Sequence, residues 1–250
     1  MNWRPLKVFG ATSIVLTLGS FFGCEAIQRK ALFYPTHDAR DNGLARWTLD
    51  GRTIGFAREV ETPQNVWLLV HGNGGQAADR TYALPAFSPR DSVFILEYPG
   101  YGRRAGKPSR RTLDGAAREG YLELRARFPK IPVCIAAESI GSGPASMLTR
   151  ENPAPDKLVL IVPFDDLESV GRDHMRFLPM SLLLKGTWNN VESLAGYRGP
   201  LDVFGAQRDE IIRVSHAKAL ADSVKQARFH EIPGGHNEWS QQGAVEIRNP

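Results

Sequence analysis

Ser139 stands just beyond an apolar run, Pro132 to Ala137, in the stretch Ala137-Glu138-Ser139-Ile140-Gly141-Ser142-Gly143, and Ala145 to Thr149 after it is patterned as a helix. A serine hydroxyl is a weak nucleophile near neutral pH until a neighbouring base takes its proton. A strand that turns at once into a helix lifts such a serine clear of the sheet, and the turn is tight enough that the residues two before and two after it must be small. Ala137 and Gly141 occupy those places. Glycine is usual at the first, so Ala137 adds one methyl group to the pattern. The base and the acid that orients it fall on later loops. Asp209 follows the run Leu201 to Gly205, and His236 follows Arg228 to Ile232 through Pro233-Gly234-Gly235. The glycine pair lets the histidine loop bend inward. Nucleophile Ser139, base His236 and acid Asp209 would form a triad for acyl transfer. Glu210 competes for the acid position, which Asp209 takes as the residue nearer the strand end.

Acyl transfer also needs donors aimed at the oxyanion of its tetrahedral intermediate. Val66 to Val70 runs into His71-Gly72-Asn73-Gly74-Gly75, a glycine-rich loop whose backbone N–H groups can face a ligand. The N–H groups of Asn73 and Ile140 are the candidates. His71 reads as a structural loop residue making a backbone hydrogen bond, because no acid lies near it in the sequence. His37, His174, His216 and His230 read as surface or packing residues. Cys and His lack ligand spacing, so neither a metal site nor a cofactor is expected. Cys134, inside an apolar run, reads as a small buried hydrophobe with no disulfide to Cys24.

Six short apolar runs must supply the scaffold: Asn65 to Val70, Ser92 to Glu97, Pro132 to Ala137, Lys157 to Val162, Leu201 to Gly205 and Arg228 to Ile232. Near-continuous apolarity of this kind marks strands buried on both faces of a parallel sheet. Helical spacing lies between them. Leu113, Ala117, Tyr121, Leu124 and Phe128 share one face, with Ser109 as N-cap, and Val214, Ala217, Leu220, Ala221 and Val224 share another. Trp47 to Leu49 and Thr53 to Phe56 flank Asp50-Gly51 as an antiparallel hairpin. The whole predicts an α/β architecture with a mostly parallel, doubly wound sheet. Between Pro163 and Pro200 there is room for a short helical insertion. Its apolar residues Met175, Phe177, Leu178, Met180 and Leu182 to Leu184 read as crossover packing, with an acyl-chain lid as the alternative. Arg103, Arg104, Lys107, Arg110 and Arg111 read as a solvated basic loop, with an anionic surface as the alternative.

The 250 residues carry 31 basic and 27 acidic side chains, a net charge of +4, too mild an excess for a nucleic-acid-binding surface. With 42% hydrophobic and 23% charged residues, residues 31–250 fit one domain. Residues 1–24 read separately. Arg4 and Lys7 precede an uncharged apolar run from Val8 to Gly23, the order of an export signal, and the run is shorter than the roughly 20 residues a membrane-crossing helix uses. Phe21-Phe22-Gly23-Cys24 resembles a bacterial lipobox, which would make Cys24 a lipidation site. Three readings stay open: a lipid anchor, an uncleaved helical anchor and a removed signal. The anchored readings place the chain on a membrane of the bacterial cell envelope, with the rest on the non-cytoplasmic side.

Taken together, these segments resemble the α/β-hydrolases of the serine aminopeptidase and prolyl-oligopeptidase-related group, in particular small membrane-anchored members that include palmitoyl-protein thioesterases. The resemblance rests on Leu32-Phe33-Tyr34-Pro35, His71 to Gly75, Tyr98-Pro99-Gly100-Tyr101-Gly102, Glu138 to Gly143, Phe177-Leu178-Pro179 with Ser181 to Leu184, Asp209 to Ile212 and Gly235-His236. Ala137, Glu97 and Arg103-Arg104 depart from the usual pattern. The resemblance implies an α/β-hydrolase fold and the chain order Ser, Asp, His for the triad. It also implies hydrolysis of a carboxylic ester or thioester through an acyl-enzyme. A peptidase of the same fold and a non-catalytic binding protein are the competing readings.

Overall fold

A computed structural model describes residues 29–248, apart from residues 39, 40, 176, 179, 181–183 and 185. Cys24 and the whole 1–24 segment lie outside the described residues, as do Pro179, Ser181, Leu182 and Leu183 of the insertion. The centre is an eight-stranded sheet built from β2 (Ala45–Leu49), β3 (Arg52–Arg58), β4 (Val66–Val70), β6 (Ser92–Leu96), β7 (Val133–Glu138), β8 (Leu158–Ile161), β9 (Leu201–Ala206) and β10 (Ala227–Ile232). Two short strands, β1 (Tyr34–Pro35) and β5 (Gly74–Gly75), pair in parallel beside it.

The order across the large sheet is β10-β9-β8-β7-β4-β6-β3-β2, parallel from β10 to β6 and antiparallel at the β6, β3, β2 edge. The expected hairpin is β2 and β3, turned by Asp50 (φ 50°) and Gly51 (φ 74°), two left-handed residues in succession. Continuous apolarity in the central strands has the expected cause. Because side chains alternate across a strand, Leu68, Ile135, Ala137 and Leu160 enter the core on one face. Trp67, Leu69, Cys134, Ala136 and Ile161 enter that on the other. Each of the six expected strands is present, with ends shifted by one residue at most.

The α-helices pack on the first of these faces, and the 3-10 segment Ala77–Ala86 with Trp239, Val245 and Ile247 covers the other. α1 (Arg110–Arg127) starts at a capping box in which Ser109 Oγ accepts the Thr112 N–H and Thr112 Oγ1 accepts the Ser109 N–H, and it buries Leu113, Ala117, Tyr121 and Leu124. α2 (Ser142–Met147) begins three residues earlier than its sequence pattern indicates, because the turn after β7 runs straight into it. The insertion after β8 contains α3 (Leu167–His174) and α4 (Asn190–Leu194), and α5 (Val214–Asp222) follows β9. Met180 and Leu184 pack inward, whereas Met175, Leu178 and the fully exposed Phe177 form an apolar tip, so packing explains only part of the insertion. The basic loop is likewise divided. Arg104 turns inward to bond the Glu97 carbonyl and the Glu119 carboxylate, and Arg110 donates to the carbonyls of Gly186 (2.6 Å) and Thr187 (2.9 Å). Arg103, Lys107 and Arg111 remain exposed.

Candidate active site

The parallel ladder decides which loops meet. Val70 pairs with Ala137 at the carboxyl ends of β4 and β7, so the His71 loop and the Ser139 turn emerge side by side. Ser139 has φ 54°, a left-handed conformation that is uncommon for a residue with a side chain. Gly141 shows why this turn needs a glycine: a Cβ built there would lie 2.3 Å from the Val70 carbonyl oxygen and 2.7 Å from that of His71. Ala137, fully buried, is accommodated without glycine.

β9 and β10 continue their pairing past the sheet and bring the other two residues to the same edge. Gln207 N–H donates to Ile232 O and Arg208 N–H to Gly234 O, each at 2.9 Å. Gly234 turns with φ 89°, and Glu238 Oε2 accepts the Gly235 N–H at 2.9 Å. His236 then places Nε2 at 2.9 Å from Ser139 Oγ and Nδ1 at 2.7 Å from Asp209 Oδ2. All three residues are buried. The second oxygen of Asp209 accepts the N–H groups of Ile211 (2.9 Å) and Ile212 (2.7 Å), which fixes the carboxylate in place. Glu210 is exposed, and of the two acids it is Asp209 that lies against His236. With the Nδ1 proton held by Asp209, Nε2 is left as an acceptor for the serine hydroxyl proton.

Asn73 is anchored at several points beside this constellation. Its carbonyl accepts the Tyr34 N–H (3.1 Å) and the Tyr101 hydroxyl (2.7 Å), and its side chain donates to Leu32 O (3.2 Å). Gly72 lies close enough to the turn that a Cβ on it would sit 3.6 Å from Ser139 Cβ. Ile140, immediately after the serine, is buried in the turn itself. The two candidate oxyanion donors thus belong to adjacent, well-braced segments.

His71 makes the expected backbone contact, Nδ1 to Gly72 O at 2.7 Å. The expectation that no acid lies near it is wrong. Glu97, at the end of β6, places Oε1 3.7 Å from His71 Nε2, an adjacency created by the β4 and β6 pairing. Burial nonetheless dominates and lowers the His71 pKa. The His71 ring packs at a tilt against that of Tyr98, whose hydroxyl donates to the His71 carbonyl at 2.6 Å, so it supports the loop.

A second network, buried at Arg80 and Glu138 and joined by the partly exposed Tyr82, went unrecognised in the sequence. Tyr82 donates to Glu138 Oε2 at 2.7 Å and accepts from Arg80 Nη1 at 3.0 Å, while Arg80 Nη2 donates to the Gly74 carbonyl. Burial, then the Glu138 charge, raise the Tyr82 pKa, keeping the phenol protonated as a donor. The network links the residue before the nucleophile to the loop that carries Asn73. Its one sequence signal is the adjacency of Glu138 to Ser139. His216, read as a surface or packing residue, is buried, and it lies between two carboxylates that the sequence did not indicate. Among the described residues no cluster of His, Cys, Asp and Glu could hold a metal ion, and no helix is long and apolar enough to cross a membrane.

No family model matches the chain. An uncharacterized protein of Mycobacterium tuberculosis is 32% identical over 176 residues, covering 68% of this chain and 62% of that protein. The lysophosphatidylserine lipase of Danio rerio is 28% identical over 194 residues, covering 69% of this chain and 50% of the lipase. The chain therefore spans less than two thirds of the length of these relatives. Among solved structures, an esterase of Pyrococcus furiosus superposes with a TM-score of 0.63 at 14% identity, covering 84% of this chain and 91% of the esterase. An alpha-beta hydrolase of Vibrio vulnificus gives 0.59 at 18% identity, with 73% and 70% covered.

Proposed function

From the premise that this chain has the α/β-hydrolase fold, we propose that it is a serine hydrolase cleaving carboxylic ester or thioester bonds through an acyl-enzyme. The hydrogen-bonded series Ser139 Oγ, His236 Nε2, His236 Nδ1, Asp209 Oδ2 carries the reading. Ser139 attacks the acyl carbonyl while His236 takes its proton, and the imidazolium so formed is held by Asp209. The N–H groups of Asn73 and Ile140 receive the oxyanion. His236 then protonates the leaving alcohol or thiol. Water, deprotonated by the same imidazole, releases the acid and restores Ser139.

A lipid acyl ester suits the surroundings best. The apolar tip of Met175, Phe177 and Leu178 stands on the insertion whose α3 reaches the acid loop through His174, and one relative is named as a lysophosphatidylserine lipase. Residues 1–24, with Arg4 and Lys7 before an apolar run and Cys24 at its end, would tether the enzyme to a bacterial envelope membrane. A panel of p-nitrophenyl esters and acyl thioesters of rising chain length tests the proposal. Hydrolysis favouring medium or long chains, lost in Ser139→Ala, is the expected result. Undiminished turnover by that variant refutes the triad, and strict acetyl preference refutes the lipid substrate.

A further inference from the structure

The turn that carries the triad acid is fastened from outside the triad. Asp209 Oδ1 is held by the N–H groups of Ile211 and Ile212, and the carbonyl of that same Ile211 accepts a hydrogen bond from His174 Nε2 at 2.7 Å. His174 ends α3, which belongs to the insertion. One residue earlier, Asp173 Oδ2 pairs with Arg213 Nη1 at 3.1 Å, and Arg213 is the N-cap residue of α5, directly after Ile212. His216, in the first turn of α5, closes the arrangement. Its Nδ1 lies 2.7 Å from Asp165 Oδ1, on the loop after β8, and its Nε2 lies 3.4 Å from Asp173 Oδ2.

We propose that His216 is a positioning residue for the triad: the clasp it closes between Asp165 and Asp173 holds the Ile211 and Ile212 turn, and through it Asp209, in register with His236. The inference rests on the hydrolase reading above. The surrounding charge favours the imidazolium. Asp165 and Asp173 contribute two negative charges and Arg213 one positive, and among the described residues the partly exposed Asp173 shares Arg213 with no other carboxylate. Asp166, next to Asp165, is occupied as the α3 N-cap and by Arg172, at 3.7 Å. Only a protonated His216 presents N–H groups to both carboxylates at once. When the proton leaves, one ring nitrogen becomes an acceptor facing a carboxylate oxygen, and that side of the clasp is repelled.

The hydrogen bond to Asp165 raises the His216 pKa against the opposing effect of burial. The clasp is complete below the ordinary histidine value of about 6.5 and loosens as pH rises through the raised one. A general base must be unprotonated to act, so activity has an acid limb of its own. The alkaline limb belongs to a residue that never touches substrate.

The test compares kcat/KM against pH for the full chain, Asp173→Asn and His216→Lys, with ester hydrolysis followed by pH-stat titration. Asp173→Asn removes one carboxylate from the ring and should move the alkaline limb down by about one pH unit, leaving the acid limb in place. His216→Lys keeps a positive charge to far higher pH and should move the alkaline limb up. An Asp173→Asn profile superimposable on the parent overturns the proposal. Should the parent chain hydrolyse nothing at any pH, the hydrolase reading fails instead, and NMR titration of the His216 ring decides the clasp without substrate: its pKa must fall in Asp173→Asn, and an unchanged value overturns the proposal.

Discussion

Gly141→Ala offers a quantitative check of how the oxyanion loop and the nucleophile turn are held together. The added Cβ would meet two backbone carbonyl oxygens, Val70 at 2.3 Å and His71 at 2.7 Å. An ordinary carbon to oxygen contact is about 3.3 Å or more, so the end of β4 and the turn must separate by roughly 1 Å. Neither partner is the flexible end of a side chain that could swing aside. Val70 is bound into the ladder against Ala137, and the His71 carbonyl is held by Tyr98. Overpacking of this kind costs about 1–3 kcal/mol of stability, a fall in Tm of about 2–4 °C per kcal/mol for a chain of this size. The greater effect is on rate. Misplacing reacting groups by about 1 Å can lower turnover on the order of 100-fold, and here the displaced segments carry Ser139 and Asn73 themselves. Steady-state kinetics on a p-nitrophenyl ester should show kcat reduced far more than KM is raised, with circular dichroism confirming a folded chain. A Gly141→Ala protein with parental kcat and Tm would refute the packing argument.

Other expectations are more direct. Asp209→Asn keeps the shape of the acid but leaves His236 free to adopt the wrong tautomer, so kcat should fall about 10⁴-fold with little change in Tm, as measured by single-turnover ester cleavage. Far from the site, the fully buried Lys157 ammonium pairs with Asp202 at 2.8 Å, and Arg228 and His230 bond the same carboxylate. Asp202→Asn strands the lysine charge and should cost about 3–5 kcal/mol in urea denaturation. Burial pushes the Asp202 carboxyl up, but the hydrogen bonds from Lys157, Arg228 and His230 outweigh it and hold the pKa at about 2. That contribution to stability is complete above the ordinary carboxylate value of about 3.9 and is lost as pH falls through about 2. Acid denaturation of Asp202→Asn should lack it.

The central sheet was legible because strands buried on both faces leave runs such as Val66-Trp67-Leu68-Leu69-Val70 with no polar residue in them. Ser139, Asp209 and His236 were legible because each stands in the loop just beyond a strand, although the last strand, Ala227–Ile232, carries Arg228, His230 and Glu231 and is only partly buried. What escaped notice depended on pairing between distant segments. Glu97 reaches His71 only because β6 lies beside β4, and Asn73 is braced by Tyr34 and Tyr101, whose segments carry the resemblance but give no sign of this contact. His216 read only as a surface or packing residue. Its two carboxylates come from the insertion, and nothing in the α5 sequence indicates them. Arg104 was grouped with its exposed neighbours because charge alone does not tell which arginine has a carbonyl and a carboxylate to turn toward.

Ser139 is the activated nucleophile of the proposed mechanism, and covalent labelling reads that directly. The intact protein treated with a fluorophosphonate and analysed by peptide mass spectrometry should carry one adduct, on Ser139, at a rate that falls sharply in His236→Ala and with no adduct in Ser139→Ala. An adduct on another residue, or none on the folded parent chain, would contradict it.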